Sequence, residues 1–462
     1  MMVGWVWATG VAILLLIEGV SRQRFRDGVV VGVGLLVGVV FNAWFLMVTT
    51  LLVGYWTREV MMGVVGLSVL GVMWWQRRRV VEMIIGVGVP WRWPRPVWAV
   101  LLLIVGQVGF LAVTQLTSDY LHSDGLAIWF MKGKLFYLDG GVRPETLTHP
   151  VFGSTTEQGE QRAVGSMAKY PLLVPLNIAW TYLVADGEAV TMAKGLWVGL
   201  QASIIWFLYI TGVSIFGKKS GWTVLMPVLY VFIPVMWRHF TPHWFGGADL
   251  WLAGLYLMGL GANYLWQKGE GKIYLWLAAW LLGGAAFTKI EGAVALVGGL
   301  VMLWVAGKKR GRELLAAVPL LLVPVVGWYI YGSQLPLKEN YLGQIVARLP
   351  LWQTLLGRAG RAAGVMGVEL FNFKEYLGLW PMAIFLPIWA IWMRGIKPWY
   401  KLYLLPLVGF GFIWFSYTFN HLEFEGLVFS TLPRLYSQWI PSALFLSVLA
   451  LRELVVKKSK KE

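Results

Sequence analysis

The chain has no cysteine and few charged residues. Without cysteine there are no disulfides, no thiolate metal ligands and no cysteine nucleophile. Only 13% of the residues are charged, against about 25% in a soluble domain, so an ordinary soluble protein is excluded. No basic segment precedes the first apolar run, and three arginines follow it, so we predict a retained span and not a cleaved signal peptide.

Long apolar runs make up most of the sequence. Hydrophobic residues are 58% of the 462 positions, and runs of about 17 to 25 residues recur, each able to cross roughly 30 Å of hydrocarbon. The pattern predicts an all-α polytopic membrane protein with about 13 transmembrane helices. The predicted spans are 3–20, 28–54, 59–75, 97–116, 190–216, 221–237, 249–267, 273–288, 291–307, 314–332, 377–393, 400–418 and 434–452. The 28–54 run is too long for one upright helix, so it should tilt or break at Asn42.

The loops between these runs alternate in charge. There are eight basic segments, from "RQRFRD" to the tail "KKSKKE". Together with Arg452, they contain 24 of the 39 lysines and arginines. The net charge of +16 therefore fits the positive-inside rule, and we do not predict nucleic-acid binding. The rule places the C-terminus in the cytoplasm and two long loops, 117–189 and 333–376, outside.

One apolar segment, 170–188, does not fit the alternation. If it spanned the membrane, the later basic loops would be inverted, unless the 190–216 run is broken. We therefore predict a short helix that lies in the outer interface and is opened by two prolines. A true span with a break in 190–216 is the alternative.

The stretch "SDYLHSDGLAIWFMKGKLFYLDGG" concentrates charge directly after a span. If residues 124 to 137 form a helix, Asp124, Ile128 and Lys132 share one face. Such a helix would lie at the outer surface and direct a carboxylate and an ammonium group into one space. An ordinary interfacial helix with solvated charges is the alternative.

Further ionisable residues lie in the other outer turns. Asp249 begins a span, Lys289 and Glu291 form the tight turn "FTKIEG", and Arg434 begins the last span, with His243 nearby. Each also has a structural explanation: a carboxylate at a helix start, a mutually neutralising pair or a snorkelling arginine. Together they suit transfer from a lipid-linked phosphate, because a carboxylate takes the acceptor proton and cations stabilise the leaving phosphate.

Several motifs resemble the GT-C class of integral-membrane glycosyltransferases, especially the bacterial protein-mannosyltransferase and aminoarabinose-transferase type. "HSDGLAIWFMKGKLFY" is similar to W-D-A-x-x-x-W-x-x-K-A-K-x-x-Y, and "KYPLLVPL" to Y-P-L-L-x-P-L. "GGADLWLAGLYL" resembles G-Y-A-D-L-P-L-A, "FTKIEGAVAL" resembles F-T-K-N-E-G, and "PRLYSQWIPSALF" fits an R-x-x-x-x-x-x-P ending. Serine and glycine flank Asp124 in place of tryptophan and alanine, and Ile290 replaces asparagine.

The resemblance implies an inverting transfer from a polyprenyl-phosphate-sugar to a lipid, glycan or protein acceptor, outside the cytoplasm at the cell membrane. It makes Asp124 the catalytic base or acceptor-orienting group and assigns Asp249 a catalytic position. It implies that the remaining motif residues, together with the nearby His243, bind substrate: Lys132, Lys134, Tyr170, His243, Lys289, Glu291 and Arg434. Lys289 and Arg434 are the expected donor-phosphate ligands. The likeness spans residues 123 to 441, so we divide the chain into an N-terminal region 1–96 of unassigned role and a catalytic domain 97–462.

These residues leave open whether the protein binds a divalent metal. Some members of the class use one, and Asp119, Asp124 and Asp249 offer the oxygen ligands that Mg or Mn prefers.

Other functions compete with this prediction. A lipid-linked oligosaccharide flippase or transporter would explain the helices, but it predicts internal repeats and charges near the midplane. A polysaccharide polymerase or ligase would also use a long outer loop. An assembly factor without chemistry gives no reason for charges in the outer turns.

Overall fold

Helices form nearly all of the computed structural model, which describes residues 2–87, 95–117, 125–144, 153–155, 161–163, 170–218, 220–241, 244–306, 311–334, 352–419 and 424–455. The first half contains α1 (Met2–Ser21), α2 (Asp27–Val53), α3 (Arg58–Trp75), α4 (Arg77–Val87), α5 (Arg95–Leu116), α6 (Met131–Asp139, after a π-helical turn Gly125–Phe130), α7 (Leu173–Ala185), α8 (Val190–Phe216), α9 (Gly221–Phe232) and α10 (Pro234–Phe240). A short antiparallel hairpin joins β1 (Gly153–Thr155) to β2 (Gln161–Ala163).

The described residues of the second half form helices joined by short turns. It contains α11 (Asp249–Gln267), α12 (Lys272–Ala286), α13 (Val294–Ala306, after a 3₁₀ turn Ile290–Ala293), α14 (Gly311–Gln334), α15 (Trp352–Leu370), α16 (Phe373–Tyr376), α17 (Leu379–Arg394), α18 (Pro398–Phe419), α19 (Phe424–Ser437) and α20 (Ile440–Val455). The predicted outer loop 333–376 thus includes a 19-residue helix, α15.

The membrane character predicted from the apolar runs is confirmed. Among the described residues, seven helices are long and apolar enough to cross a membrane, or up to nine if each bent helix pair is one span. The two bent pairs are α9 with α10, at 63°, and α19 with α20, at 51°. The larger count of about 13 spans stays a prediction, because α7, α12 and α17 are shorter apolar helices.

The long run 28–54 forms one unbroken helix, α2, in the centre of the protein. Asn42 lies buried inside it without interrupting the helix. Two glycine contacts bring α1 against it, since a Cβ on Gly10 or Gly38 would lie within 2 Å of a backbone carbonyl oxygen of the facing helix. On its other sides α2 packs against α7, α8, α12 and α14. The predicted N-terminal region therefore shares one core with the helices that follow it.

The short helix predicted in 170–188 exists as α7, and other helices cover it on all sides; its predicted level at the outer interface stays a prediction. All residues from Leu173 to Val184 are buried, and the Asn177 side chain donates to the Val39 carbonyl of α2 at 3.0 Å. Gly133 allows α6 to cover α7 closely, since a Cβ there would meet Ile178 at 2.6 Å. The break in 190–216 that the alternative requires is absent, because α8 is continuous from Val190 to Phe216.

Several basic loops gather at one end of the helices. Arg26, between α1 and α2, pairs with Glu270 and donates to Ser214 Oγ at 2.9 Å, so the ends of α8 and α11 lie beside it. Arg79 pairs with Glu18 at 2.9 Å, so the turn between α3 and α4 lies at the same end. Trp266 Nε1 donates to Glu313 at 2.9 Å, so the start of α14 lies there as well. We call this the basic end.

Candidate functional site

Predicted site residues from three separate segments of the chain meet at the start of α11. Because α11 has 19 residues, its first residue, Asp249, lies about 28 Å along the helix from the basic end. The Asp249 carboxylate is 1% exposed and lies 3.1 Å from Lys289 Nζ and 3.0 Å from Arg434 Nη2. Gln438 Nε2 donates to the same carboxylate at 2.7 Å. We call Asp249, Lys289, Glu291, Arg434 and Gln438 the ion cluster.

Lys289 bridges two carboxylates in the turn between α12 and α13. Its Nζ is 3.1 Å from Asp249 Oδ1 and 3.0 Å from Glu291 Oε1. Burial lowers the pKa of Lys289, but these two negative charges outweigh burial and raise it above its usual range. The lysine is therefore a fixed cation. The ion cluster holds two cations and two anions, so its formal charge is zero.

Asp249 has little capacity left to accept a proton. One oxygen accepts from Lys289 and Gln438, and the other accepts from Nε and Nη2 of Arg434, at 3.1 and 3.0 Å. A carboxylate held by two cations strongly favours its charged form. This geometry suits Asp249 to positioning the two cations, and the catalytic role that the sequence predicted for it stays a prediction.

Glu291 keeps one oxygen available. Its Oε1 pairs with Lys289, but Oε2 is buried and has no hydrogen-bond partner among the described residues. The Glu291 backbone carbonyl accepts from Tyr256 at 3.1 Å, and the Tyr256 ring stacks on Trp439 at 4.2 Å. The structure therefore fixes the backbone of Glu291 and leaves half of its carboxylate unused.

The tight turn that carries Lys289 and Glu291 depends on a glycine. A Cβ on Gly292 would lie 1.8 Å from the Ala285 carbonyl oxygen, so no larger residue fits without backbone movement. We expect Gly292→Ala to destabilise the protein by about 1–3 kcal/mol, as overpacking does, and to lower any activity of the site. Thermal unfolding in detergent measures the effect. Gly360→Ala, which meets no atom within 4 Å, is the matched control, and equal unfolding temperatures in the two variants would contradict the expectation.

The first motif approaches the ion cluster through the turn before Asp249. A Cβ on Gly125 would lie 2.7 Å from the Phe245 carbonyl oxygen. Trp197 of α8 joins the two segments, because its ring stacks on Phe130 at 5.5 Å and its Nε1 donates to the Gly247 carbonyl at 2.9 Å. Asp124, which precedes Gly125, lies outside the described residues, as do Asp119 and His243.

The two lysines of the first motif differ in their surroundings. Lys132 is fully buried, and burial lowers its pKa to about 7, so the alternative of an interfacial helix with solvated charges does not hold for this residue. Ile128, four residues earlier in the π-helical turn, is also buried, whereas the face shared with Asp124 stays a prediction. Lys134 instead forms an ion pair with Glu188 at 2.7 Å. This pair is exposed, unlike the buried ion cluster.

The second motif contacts the turn before Lys289. The Leu173 amide donates to the Phe287 carbonyl at 2.9 Å, which connects the start of α7 to the end of α12. Tyr170, three residues earlier, packs its ring against Trp129 at 5.6 Å. Segments of all five quoted motifs therefore contact one another around the ion cluster.

Two residues of the site were not predicted. Gln438 lies one helical turn after Arg434, at the bend between α19 and α20, where its amide reaches Asp249. His239 ends α10, and its Nε2 lies 2.8 Å from Ser437 Oγ. Ser437 already donates to the Arg434 carbonyl at 2.6 Å, so His239 must be the donor in their contact. The signal for Gln438 was its i+4 spacing from Arg434.

A metal does not fit Asp249 in this arrangement, since nitrogen donors already surround both of its oxygens. Across the described ranges no group of three His, Asp or Glu side chains is placed to hold an ion. Asp119 and Asp124 are not among those ranges.

Comparisons with known proteins do not assign the chain to a family. No protein-family model, no curated protein and no solved structure matches the chain.

Proposed function

We propose that the protein is a membrane glycosyltransferase that transfers a sugar from a polyprenyl-phosphate donor to an acceptor on the extracytoplasmic side. The observation that carries the proposal is the buried ion cluster, in which Lys289 and Arg434 converge on a carboxylate. Two cations held 3.0–3.1 Å from one anionic group are arranged as a phosphate would require. Positive-inside orientation puts the basic end in the cytoplasm and the ion cluster toward the other side.

An apolar groove supports a lipid-linked donor. It has a volume of about 520 Å³ and lies between α5 and the bent pair α9–α10, lined by Leu102, Leu103, Gly106, Phe110, Val231 and Trp237 together with Gln107. Trp237 and His239 lie on the same short helix, α10, and His239 contacts Ser437 near Arg434. An isoprenoid chain in the groove would therefore run toward the cations that hold its phosphate.

The reaction follows from these groups. The acceptor hydroxyl oxygen attacks the anomeric carbon from the face opposite the phosphate, and the bond from that carbon to the phosphate oxygen breaks. The bonding electrons leave with the phosphate, whose added negative charge Lys289 and Arg434 stabilise. The acceptor proton passes to a carboxylate. Asp124 is the predicted base, and Glu291 is a second candidate because its Oε2 is unpaired among the described residues.

The test offers labelled polyprenyl-phosphate-sugar to the purified protein, with a membrane extract as the acceptor source, and measures released polyprenyl phosphate. We expect Lys289→Ala to lower turnover by about 10²-fold, because it removes one cation from the leaving group. Lys272→Ala, at the basic end, should leave turnover unchanged. Donor that is moved but never split by wild type would favour the flippase, and wild-type turnover in Lys289→Ala would refute the proposed site.

The base is identified in the same assay. Loss of turnover in Asp124→Asn but not in Glu291→Gln supports Asp124, and the reverse supports Glu291. Wild-type turnover in both variants would remove carboxylate base catalysis from the proposal.

A further inference from the structure

A second pocket, lined by polar and aromatic side chains, lies at the basic end, far from the ion cluster. It forms where α3 bends into α4, has a volume of about 420 Å³ and is lined by Trp74, Trp75, Gln76, Arg77 and Arg78. Gln76 packs closely against α1, since a Cβ on Gly19 would lie 2.2 Å from the Gln76 amide nitrogen. The proposed transfer reaction uses none of these residues.

The three consecutive arginines at this bend differ in their partners. Arg79 is buried and held by Glu18 at 2.9 Å and Asp27 at 2.6 Å, which fixes α4 to α1 and α2. Arg77 and Arg78 are exposed, and neither has an acidic partner among the described residues. The Arg77 guanidinium lies 4.9 Å from the centre of the Trp74 ring, which orients it beside the pocket. Two positive charges thus lie at the pocket without a counterion among the described residues.

The surface around the pocket is apolar. Trp74 is 71% exposed, and Leu67 and Leu70 of α3 and Ile84 of α4 are also exposed. Helix α3 has only two buried residues, so most of it faces outward. Exposed apolar helices ending in tryptophan and arginine are typical of the boundary between hydrocarbon and headgroups.

We propose that this pocket binds the headgroup of an anionic phospholipid of the cytoplasmic leaflet. The phosphate pairs with Arg77 and Arg78, the tryptophans border the glycerol region, and the acyl chains lie along the apolar face of α3. Arginine suits this ligand because its guanidinium donates two hydrogen bonds to one phosphate. A soluble phosphate would satisfy the arginines but would leave the apolar surface uncovered.

Native mass spectrometry of the full chain in detergent tests the proposal, with phosphatidylglycerol and phosphatidylcholine as probes. We expect a phosphatidylglycerol adduct that Arg77→Gln/Arg78→Gln weakens by about 10- to 30-fold, given the usual attraction of each basic residue to anionic lipid. Lys218→Gln/Arg312→Gln removes two exposed charges near the same end and should keep the adduct.

Three results would overturn the proposal: equal phosphatidylglycerol binding in wild type and Arg77→Gln/Arg78→Gln, equal loss in the control, or full displacement of the lipid by inorganic phosphate. Because the proposed reaction lies elsewhere, the Arg77→Gln/Arg78→Gln variant should keep donor turnover. Failure of the lipid proposal and failure of the proposed function are therefore seen separately.

Discussion

Arg434→Ala is expected to lower the turnover of polyprenyl-phosphate-sugar by about 10²- to 10³-fold, the loss that follows removal of one stabilising donor to a developing negative charge. Arg434 presents Nε and Nη2 to one oxygen of Asp249, at 3.1 and 3.0 Å, and the same two nitrogens would contact the donor phosphate. Arg434→Lys should not restore turnover, because a lysine offers a single nitrogen in place of the planar pair.

The measurement is kcat/KM with labelled donor, on protein that elutes as a single species. Arg312→Ala removes an exposed arginine at the other end of the protein and should behave as wild type. Wild-type kcat/KM in Arg434→Ala, or full rescue by Arg434→Lys, would contradict the phosphate-binding role.

Asp249→Ala is expected to have the largest effect on stability. The substitution leaves Arg434 and Lys289, which are 15% and 7% exposed, without the carboxylate that both contact. Breaking a buried ion pair by removing one partner costs about 3–5 kcal/mol. Glu291 still pairs with Lys289, so we expect the lower part of that range.

Glu82→Ala is the matched control, because Glu82 pairs with Arg24 at 2.9 Å on the exposed surface. Such exposed pairs contribute about 0–1 kcal/mol. Unfolding in detergent, followed for both variants against wild type, should show a clearly lower transition temperature only for Asp249→Ala. Similar transitions in the two variants would show that the ion cluster does not stabilise the fold.

The helices were predictable because the signal is local. Apolar runs and tight turns predicted α1, α2, α3 and α8 to within a few residues, since each run is as long as its helix. The position of α7 was not predictable in this way. An apolar 13-residue segment suits either a membrane surface or a protein core, and only its contacts with α2 and α6 show that protein covers it.

The site was predictable as a set of residues but not as a set of contacts. Charged residues in the turns predicted to lie outside identified Asp249, Lys289 and Arg434, because such residues are rare and costly near the hydrocarbon. Their pairing depends on the bend between α19 and α20, which directs Arg434 and Gln438 to one carboxylate. The sequence shows neither the bend angle nor the partner, so it could not show that Asp249 is already held by both cations.

The most direct test of the central claim is an experimental structure with bound polyprenyl phosphate in a lipid nanodisc. The account predicts a phosphate within hydrogen-bond distance of Lys289 Nζ and of the Arg434 guanidinium, with the isoprenoid chain in the groove between α5 and the α9–α10 pair. A phosphate bound elsewhere, with Asp249, Lys289 and Arg434 still paired only to one another, would contradict it.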